Sequence, residues 1–392
     1  MKSTTGTDVE GEAGRQPAAS SNASAVRIAC VAIACVLAAS VLFSMRRYYH
    51  PDTGFTALIG FPAGQEEAPE MTGVPHYDYP DIGAYDGQFY AQRALDPLLR
   101  DPLADRAMDL APFRARRILF SWTAYLAGFG RPRWILEAYA LQNVVAWLIL
   151  AVLLARWMPV SAPRGLAAWT ACLFSHGALW SVRFALLDLP SLALTVYAVR
   201  LAERHAPLTS AALVGINGLG RETNVLGILA QPLPRSRRDL VRLILSALLA
   251  ILPLLLWEDY LRSIYRSTIF AGASGQAAMP GVAIAAALMS AVRQMSLSNL
   301  LILVPLAVQA AYIVVCIRRY REPWWRVGAG YVLLLLVLDR VLVTPATGAI
   351  TRVLLPLTVA FNVQLMQESS PWQFWPLLLA GNLDLIPAYG VL

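Results

Sequence analysis

The chain has 392 residues, of which 57% are hydrophobic and 15% are charged, and its mean hydropathy is +0.52. This composition is too apolar for soluble domains of that length, so it predicts a polytopic membrane protein. The net charge of +7 could suggest a nucleic acid partner. Most basic residues, however, lie in short clusters beside apolar runs, as membrane topology requires. We therefore expect an all-α membrane protein that binds the lipid bilayer and no nucleic acid.

Residues 1–25 are rich in Ser, Ala, Gly and Thr and lack apolar periodicity, which predicts a disordered cytoplasmic tail. Residues 26–392 form the predicted membrane domain. Its apolar runs can each cross a core of about 30 Å as a helix. With shorter segments between them, they predict a bundle of about eleven membrane segments. The runs cover 26–44, 134–156, 165–182, 239–257, 297–317, 325–343, 350–367 and 373–391.

Residues 45–133 form a long polar segment between the first two runs, far longer than a connector needs to be. Within it, 86–95 and 112–129 have helix-like patterns. If 115–130 lies on the membrane without crossing it, the basic clusters of the later loops share the side of the N-terminal tail. That side is then cytoplasmic. The 45–133 segment becomes the first extracytoplasmic loop of a multi-pass protein in a cell membrane, which we expect to be a bacterial inner membrane.

The same topology requires residues 207–232 to cross twice as two short half-helices that turn at "GLGRETN", residues 218–224. Arg221 and Glu222 would each cost about 2.5–3.5 kcal/mol at mid-membrane, and a turn into an outer cavity relieves that cost. One ordinary span with a buried ion pair is the alternative. The turn, the long loop and the stretches 183–190, 258–280 and 344–352 then meet at the outer face.

The stretch "AYDGQFYAQRALDP", residues 84–97, is the most polar part of the long loop. Helical spacing places Asp86, Tyr90 and Arg93 on one face, and Pro97 ends the helix. Asp86 could simply cap this helix, which is worth about 1 kcal/mol. Arg93 would then be an ordinary solvated charge.

The order of the polar motifs resembles the C superfamily of membrane glycosyltransferases (GT-C), particularly the lipid A aminoarabinose transferases and protein O-mannosyltransferases. "YDGQFYAQRALDP" is similar to that branch's Asp-containing segment in the first outer loop. "FRARRILFSWTAYL" (113–126) is similar to its basic segment that leads into an aromatic helix. The three later matches are "LLDLPSLAL" (186–194), "GLGRETN" and "TRVLLPL" (351–357).

The resemblance implies a GT-C fold and transfer of a sugar from a polyprenyl-phosphate-linked donor to a glycan, glycolipid or protein acceptor outside the cytoplasm. Such a transfer needs a base for the acceptor hydroxyl and cations for the leaving phosphate. Asp86 takes the position of the catalytic aspartate, and Asp188 is the second predicted catalytic residue. Tyr85, Gln88 and Tyr90 are expected to shape the acceptor pocket. The predicted phosphate-binding residues are Arg93, Arg116, Arg117, Arg221 and Arg352.

Each of these residues has a structural alternative. The arginines could lie at the membrane interface, and Asp188 could cap the helix that starts at Leu189. No Glu follows Asp86, and Arg221 stands where the family has a lysine, which affects metal use and donor identity.

No metal site is assigned from the sequence. A divalent cation is a candidate cofactor because Asp78, Asp81 and Asp86 lie close together, although without the spacing of an EF-hand loop.

Two other functions fit the same features. A transporter or flippase of a lipid-linked glycan would also need broken helices and intramembrane charges. It should show inverted repeats, and the sequence has none that we recognise. A non-catalytic scaffold of an envelope complex could keep the fold without the chemistry. Loss of activity on Asp86→Asn with intact expression would separate an enzyme from such a scaffold.

Overall fold

The computed structural model describes residues 17–80, 85–265, 279–343 and 348–392, and this part of the chain is mostly helical. The all-α prediction is therefore confirmed for these residues. The first helices are α1 (Pro17–Ser44), α2 (Asp86–Arg93), α3 (Ala111–Arg116), α4 (Leu119–Ala127), α5 (Pro132–Leu154), α6 (Pro163–Leu173), α7 (His176–Arg183), α8 (Asp188–Glu203) and α9 (Pro207–Gly218). The later helices are α10 (Arg237–Tyr265), α11 (Val282–Arg293), α12 (Leu297–Val315), α13 (Pro323–Val337), α14 (Arg340–Val343), α15 (Ala349–Val353), α16 (Leu355–Leu365), α17 (Pro371–Ala380) and α18 (Leu385–Ala388).

Four helices of the described residues, α1, α5, α10 and α12, are long and apolar enough to cross a membrane. Helix α10 exposes a run of large apolar side chains, among them Leu240, Val241 and Ile244. Exposure of such an apolar surface is unfavourable in water and favourable in the hydrocarbon core of a bilayer. These features support a membrane protein, while the count of about eleven segments remains a prediction.

The start of α1 differs from the sequence expectation. The helix begins at Pro17, so residues 17–25 of the predicted disordered tail are helical. Proline is well suited to a first helical position, and the Ala and Ser residues that follow allow the helix to continue. Residues 1–16 lie outside the described residues.

Several predicted apolar runs are broken into two short helices. The run 165–182 divides into α6 and α7, and the run 350–367 divides into α15 and α16. All residues of α16 are buried, which explains why its apolar residues show no single face. Broken helices of this kind place backbone ends and polar side chains inside the bundle.

Between α1 and α5, the residues that the structure describes form only short elements. Two-residue strands β1 (Phe61–Pro62) and β2 (Asp78–Tyr79) pair in parallel, with Phe61 opposite Asp78. Helix α4 has nine residues and is about 14 Å long, which is too short to cross a bilayer core. It packs against α5.

The stretch 207–232 is interrupted where the sequence predicts a turn. Helix α9 ends at Gly218, and a 3₁₀ helix runs from Glu222 to Ala230. The two helices have 12 and nine residues, so each is about 18 Å long and shorter than a membrane core. Arg221 lies in the connection between them.

Two glycines allow close backbone approaches that position charged residues. A Cβ at Gly87 would lie 2.1 Å from the Phe184 carbonyl oxygen, so only glycine lets the first turn of α2 pack on the end of α7. A Cβ at Gly177 would lie 2.5 Å from the Thr351 carbonyl oxygen and 2.9 Å from the Arg352 nitrogen. The first contact fixes the start of α2, where Asp86 lies, against the end of α7. The second fixes α15, which carries Arg352, against α7.

We predict that Gly87→Ala lowers the free energy of unfolding by about 1–3 kcal/mol, because the added methyl group must displace backbone atoms of a packed core. Thermal unfolding in detergent measures the change. Gly390→Ala is the control, since a Cβ there meets no atom within 4 Å. Equal melting temperatures for the two variants would show that α2 can shift without loss.

Candidate functional site

An ion-pair network joins four separate parts of the chain. Asp188, the first residue of α8, pairs through one carboxylate oxygen with Arg221 and through the other with Arg352, at 3.1 Å. The second guanidinium nitrogen of Arg352 lies 3.5 Å from Asp86, at the start of α2. Arg352 on α15 therefore bridges the two carboxylates that the sequence singles out.

The network continues into α3. Arg114 pairs with Asp86 at 2.9 Å and also donates two hydrogen bonds to Asp109, at 2.7 and 2.8 Å. Arg117 pairs with Glu222 at 3.1 Å. Both arginines donate to the buried Tyr90 hydroxyl, at 3.2 and 3.4 Å. Tyr90 thus links Arg114, the partner of Asp86, to Arg117, the partner of Glu222.

Positive and negative charges are balanced in this network. Four arginines, Arg114, Arg117, Arg221 and Arg352, face four carboxylates, those of Asp86, Asp109, Asp188 and Glu222. Only 3% of the Asp188 side chain is exposed, and each of its oxygens contacts a guanidinium. A ligand could not reach that carboxylate without moving an arginine, so the geometry suits Asp188 to holding Arg221 and Arg352 in place.

Asp86 differs because its side chain keeps 34% of its surface exposed. Desolvation would raise the pKa of Asp86, but the charges of Arg114, Arg352 and Arg117 outweigh it and lower the pKa to about 2. The sequence could not decide the sign of this shift. Asp86 is therefore an ionised carboxylate at neutral pH. It is a weak base as long as no other anion binds to its arginine partners.

A cavity of about 280 Å³ opens beside Asp86. Asp86, Phe89, Asp109 and Arg114 form one part of its wall, and the loop before α2 contributes Gln65 and Glu66. It is polar and open, which suits a hydroxylated acceptor.

An apolar groove of about 430 Å³ lies between α4, α5 and α8. Its two polar side chains, Thr123 and Gln142, are hydrogen-bonded to each other at 3.1 Å. Along α5 it extends from Gln142 to Leu153, about 17 Å. Its other lining residues are Phe120, Val145, Ala146, Ile149, Pro190, Ala193, Leu194 and Tyr197.

One end of this groove adjoins the ion-pair network. Pro190 lines the groove two residues after Asp188. Phe120, which also lines it, would lie 2.6 Å from a Cβ on Gly220, the residue before Arg221. The apolar groove therefore runs close to Arg221 and its partner Asp188.

Two of the predicted phosphate-binding arginines lie apart from the Asp86 and Asp188 pairs. Arg93 is buried against Asp105 and donates to the Tyr265 hydroxyl at 3.1 Å. Arg116 pairs with Glu258 on α10 at 2.7 Å. Arg117, Arg221 and Arg352 belong to the network.

The three predicted acceptor residues lie next to the cavity but are not among the residues that line it. Tyr85 accepts a hydrogen bond from Trp180 at 2.5 Å, and its ring lies 5.4 Å from the Arg352 guanidinium. Gln88 donates to Gln65 at 3.1 Å, and the Tyr90 hydroxyl accepts from arginines. They support the cavity from behind, while Phe89 reaches its wall.

Sequence reasoning missed Arg114, which contacts Asp86 directly. The signal was "FRARR", in which three arginines stand close together. Arg114 and Arg116 are two residues apart in α3 and so point to opposite sides of the helix, and Arg117 follows its end. Arg114 pairs with Asp86 and Asp109, Arg116 with Glu258 and Arg117 with Glu222, and the sequence pattern alone does not assign these partners.

The proposed cation site of Asp78, Asp81 and Asp86 is not supported by the two residues that the structure describes. Asp78 lies beside His76 at 3.1 Å, whereas Asp86 contacts arginines. Asp81 lies outside the described residues. Arginine charges beside Asp86 would also disfavour a divalent cation there.

A comparison with family models, curated proteins and solved structures finds no match to this chain. The function therefore has to be argued from the ion-pair network, the cavity and the groove.

We predict that Asp188→Asn lowers the free energy of unfolding by about 3–5 kcal/mol, because it leaves buried arginine charge uncompensated. The control is Asp109→Asn, whose side chain is 45% exposed. It should cost at most about 1 kcal/mol. Denaturant unfolding of the detergent-solubilised protein compares the two. Similar losses would mean that Asp188 contributes no more than a surface pair.

Proposed function

We propose that this protein is an integral membrane glycosyltransferase that moves a sugar from a polyprenyl-phosphate-linked donor to an acceptor outside the cytoplasm. The observation that carries the proposal is an apolar groove that runs close to the buried Arg221–Asp188 pair, which Arg352 links to the partly exposed carboxylate of Asp86. A donor of this class needs both features, because its phosphate is anionic and its tail is apolar.

In the proposed reaction the acceptor hydroxyl lies in the cavity beside Asp86. Its proton passes to the Asp86 carboxylate as the oxygen forms a bond to the sugar's anomeric carbon. The bond from that carbon to the phosphate oxygen breaks, and its electron pair leaves with the phosphate. Arg352 and Arg221 stabilise the charge that develops there.

Donor binding also addresses the weakness of Asp86 as a base. A phosphate that pairs with Arg352 shares the charge that otherwise acts on Asp86. The pKa of Asp86 then rises from its low value toward one better suited to accept a proton.

The tail of the donor fits the groove between α4, α5 and α8, whose wall is almost entirely apolar. Its open side allows entry from the bilayer. We place the long loop and Asp86 on the outer side of a cell membrane, where nucleotide sugars are absent and lipid-linked donors are required. The resemblance to GT-C enzymes rests on the order of the sequence motifs. The groove and the ion pairs support the same proposal independently of that order.

We predict that Asp86→Asn lowers turnover by about 10²–10⁴-fold, the loss typical of a removed general base. Transfer of a lipid-linked sugar by the reconstituted protein measures it. Asp52→Asn, an exposed aspartate of the same loop, is the control. An Asp86→Asn variant that transfers sugar at the wild-type rate would contradict the role of Asp86.

For the phosphate site, we predict that Arg352→Ala and Arg221→Ala raise the KM for the donor more than that for the acceptor. Charge-assisted contacts of this kind contribute about 1.5–3 kcal/mol each, or roughly 10–150-fold. Arg238→Ala is the control, since Arg238 is exposed and lines neither the cavity nor the groove. If either variant has an unchanged KM for the donor, that arginine has only a structural role.

The pH dependence tests the charges around Asp86. Its folded pKa of about 2 lies below the usual value of 3.8, so the carboxylate loses its charge only as the pH falls toward 2. We predict no decline of kcat/KM attributable to Asp86 between pH 8 and pH 4. Arg114→Gln removes the largest stabilising charge and should introduce an acid-side decline at higher pH. The same profile in both proteins would mean that Arg114 does not control Asp86.

A further inference from the structure

A second group of ionisable side chains lies in the loop before α2, away from the ion-pair network. His76, Glu67 and Asp78 place one nitrogen and two carboxylate oxygens within 4.8 Å of one another. The His76 Nε2 atom lies 2.8 Å from Glu67 Oε1 and 3.1 Å from Asp78 Oδ1.

His76 Nδ1 lies 2.8 Å from the Val74 carbonyl oxygen. A carbonyl only accepts, so Nδ1 must carry the hydrogen of this bond. In a neutral ring, Nε2 then has only a lone pair, and that lone pair faces two carboxylates. Electron-rich atoms at such separations repel one another unless a proton or a metal ion lies between them.

We infer that Glu67, His76 and Asp78 form a binding site for a divalent transition metal ion, with Zn²⁺ the best-suited candidate. Zn²⁺ takes imidazole nitrogen and carboxylate oxygen as ligands, whereas Mg²⁺ and Ca²⁺ prefer oxygen alone. Zinc–ligand bonds of about 2.0–2.2 Å in a tetrahedron separate the ligand atoms by about 3.3 Å. The two separations from His76 Nε2, 2.8 and 3.1 Å, are therefore a few tenths of an ångström short, and small side-chain movements open the site.

The ligands are held in place before any ion binds. Nine-tenths of the His76 side chain is buried, and its ring packs on Phe61 at 4.9 Å between ring centres. The hydrogen bond to Val74 is the orienting contact that metal-bound histidines usually make. Asp78 belongs to β2, which pairs with β1. Three protein ligands leave one position for water.

Bound metal would tie Glu67 to β2 and thereby fix the segment between them. Gln65 and Glu66, just before Glu67, line the cavity beside Asp86. The metal would be a structural ion that stabilises that wall of the cavity. The inference holds whether or not the protein transfers a sugar.

The test uses the full-length protein in detergent, stripped with a chelator and then titrated with Zn²⁺. Calorimetry and metal analysis after desalting should give one zinc per chain. His76→Gln should weaken binding at least 10-fold, as should the substitutions Glu67→Gln and Asp78→Asn at the more exposed ligands. His205→Gln, a surface histidine outside the loop, is the control and should bind like the wild type.

Hydrogen exchange supplies a second readout, in which Zn²⁺ should slow exchange of amides in residues 63–78 in the wild type and not in His76→Gln. Thermal unfolding verifies that each variant is folded. If His76→Gln does not fold, Asp78→Asn replaces it as the test variant. A folded wild type that retains no zinc would overturn the inference and leave His76 as an imidazolium ion in an ion pair. Equal zinc binding by wild type and all three variants would place the ion elsewhere.

Discussion

The site depends on the carboxylate of Asp188, which holds two arginines from distant parts of the chain. Arg221 and Arg352 are separated by more than a hundred residues, and each would be costly to bury alone. Asp188 supplies the compensating charge at the start of α8. The short helices around it, which end or begin at charged residues, exist because these charges must meet inside the bundle. Arg352 then extends the pairing to Asp86 and so links the interior to the open cavity.

This arrangement separates two tasks that one carboxylate could not perform. Asp188 is enclosed and fixes the geometry of the cations, whereas Asp86 is partly exposed and remains available to a ligand. Because the network is electrically balanced, an incoming phosphate has to compete with carboxylates for arginine. Such competition favours a ligand that also gains energy from its apolar tail in the groove. This is why we propose a lipid-linked anion and not a soluble one.

Sequence reasoning identified the elements of this site better than their connections. The order of polar motifs singled out Asp86, Asp188, Arg221 and Arg352, and the structure brings these four together. It could not separate Arg114 from Arg116 and Arg117, since that choice depends on how α3 is oriented in the fold. Arg93 shares a helix with Asp86 but pairs with Asp105, because the two residues lie about 10 Å apart along α2 and meet different neighbours. Periodicity also could not locate the breaks within apolar runs, where both halves have the same composition.

The most direct measurement starts from lipid-linked sugars that accumulate in a strain lacking this gene. These lipids are fractionated and incubated in detergent with the purified protein and an extract containing acceptors, and mass spectrometry follows free polyprenyl phosphate. Detergent removes the two sides of a membrane, so a transporter cannot produce a chemical change. Our account predicts release of polyprenyl phosphate by the wild-type protein and not by the variant that lacks the Asp86 carboxylate. Lipid-linked sugars that remain intact with the folded wild-type protein would contradict it.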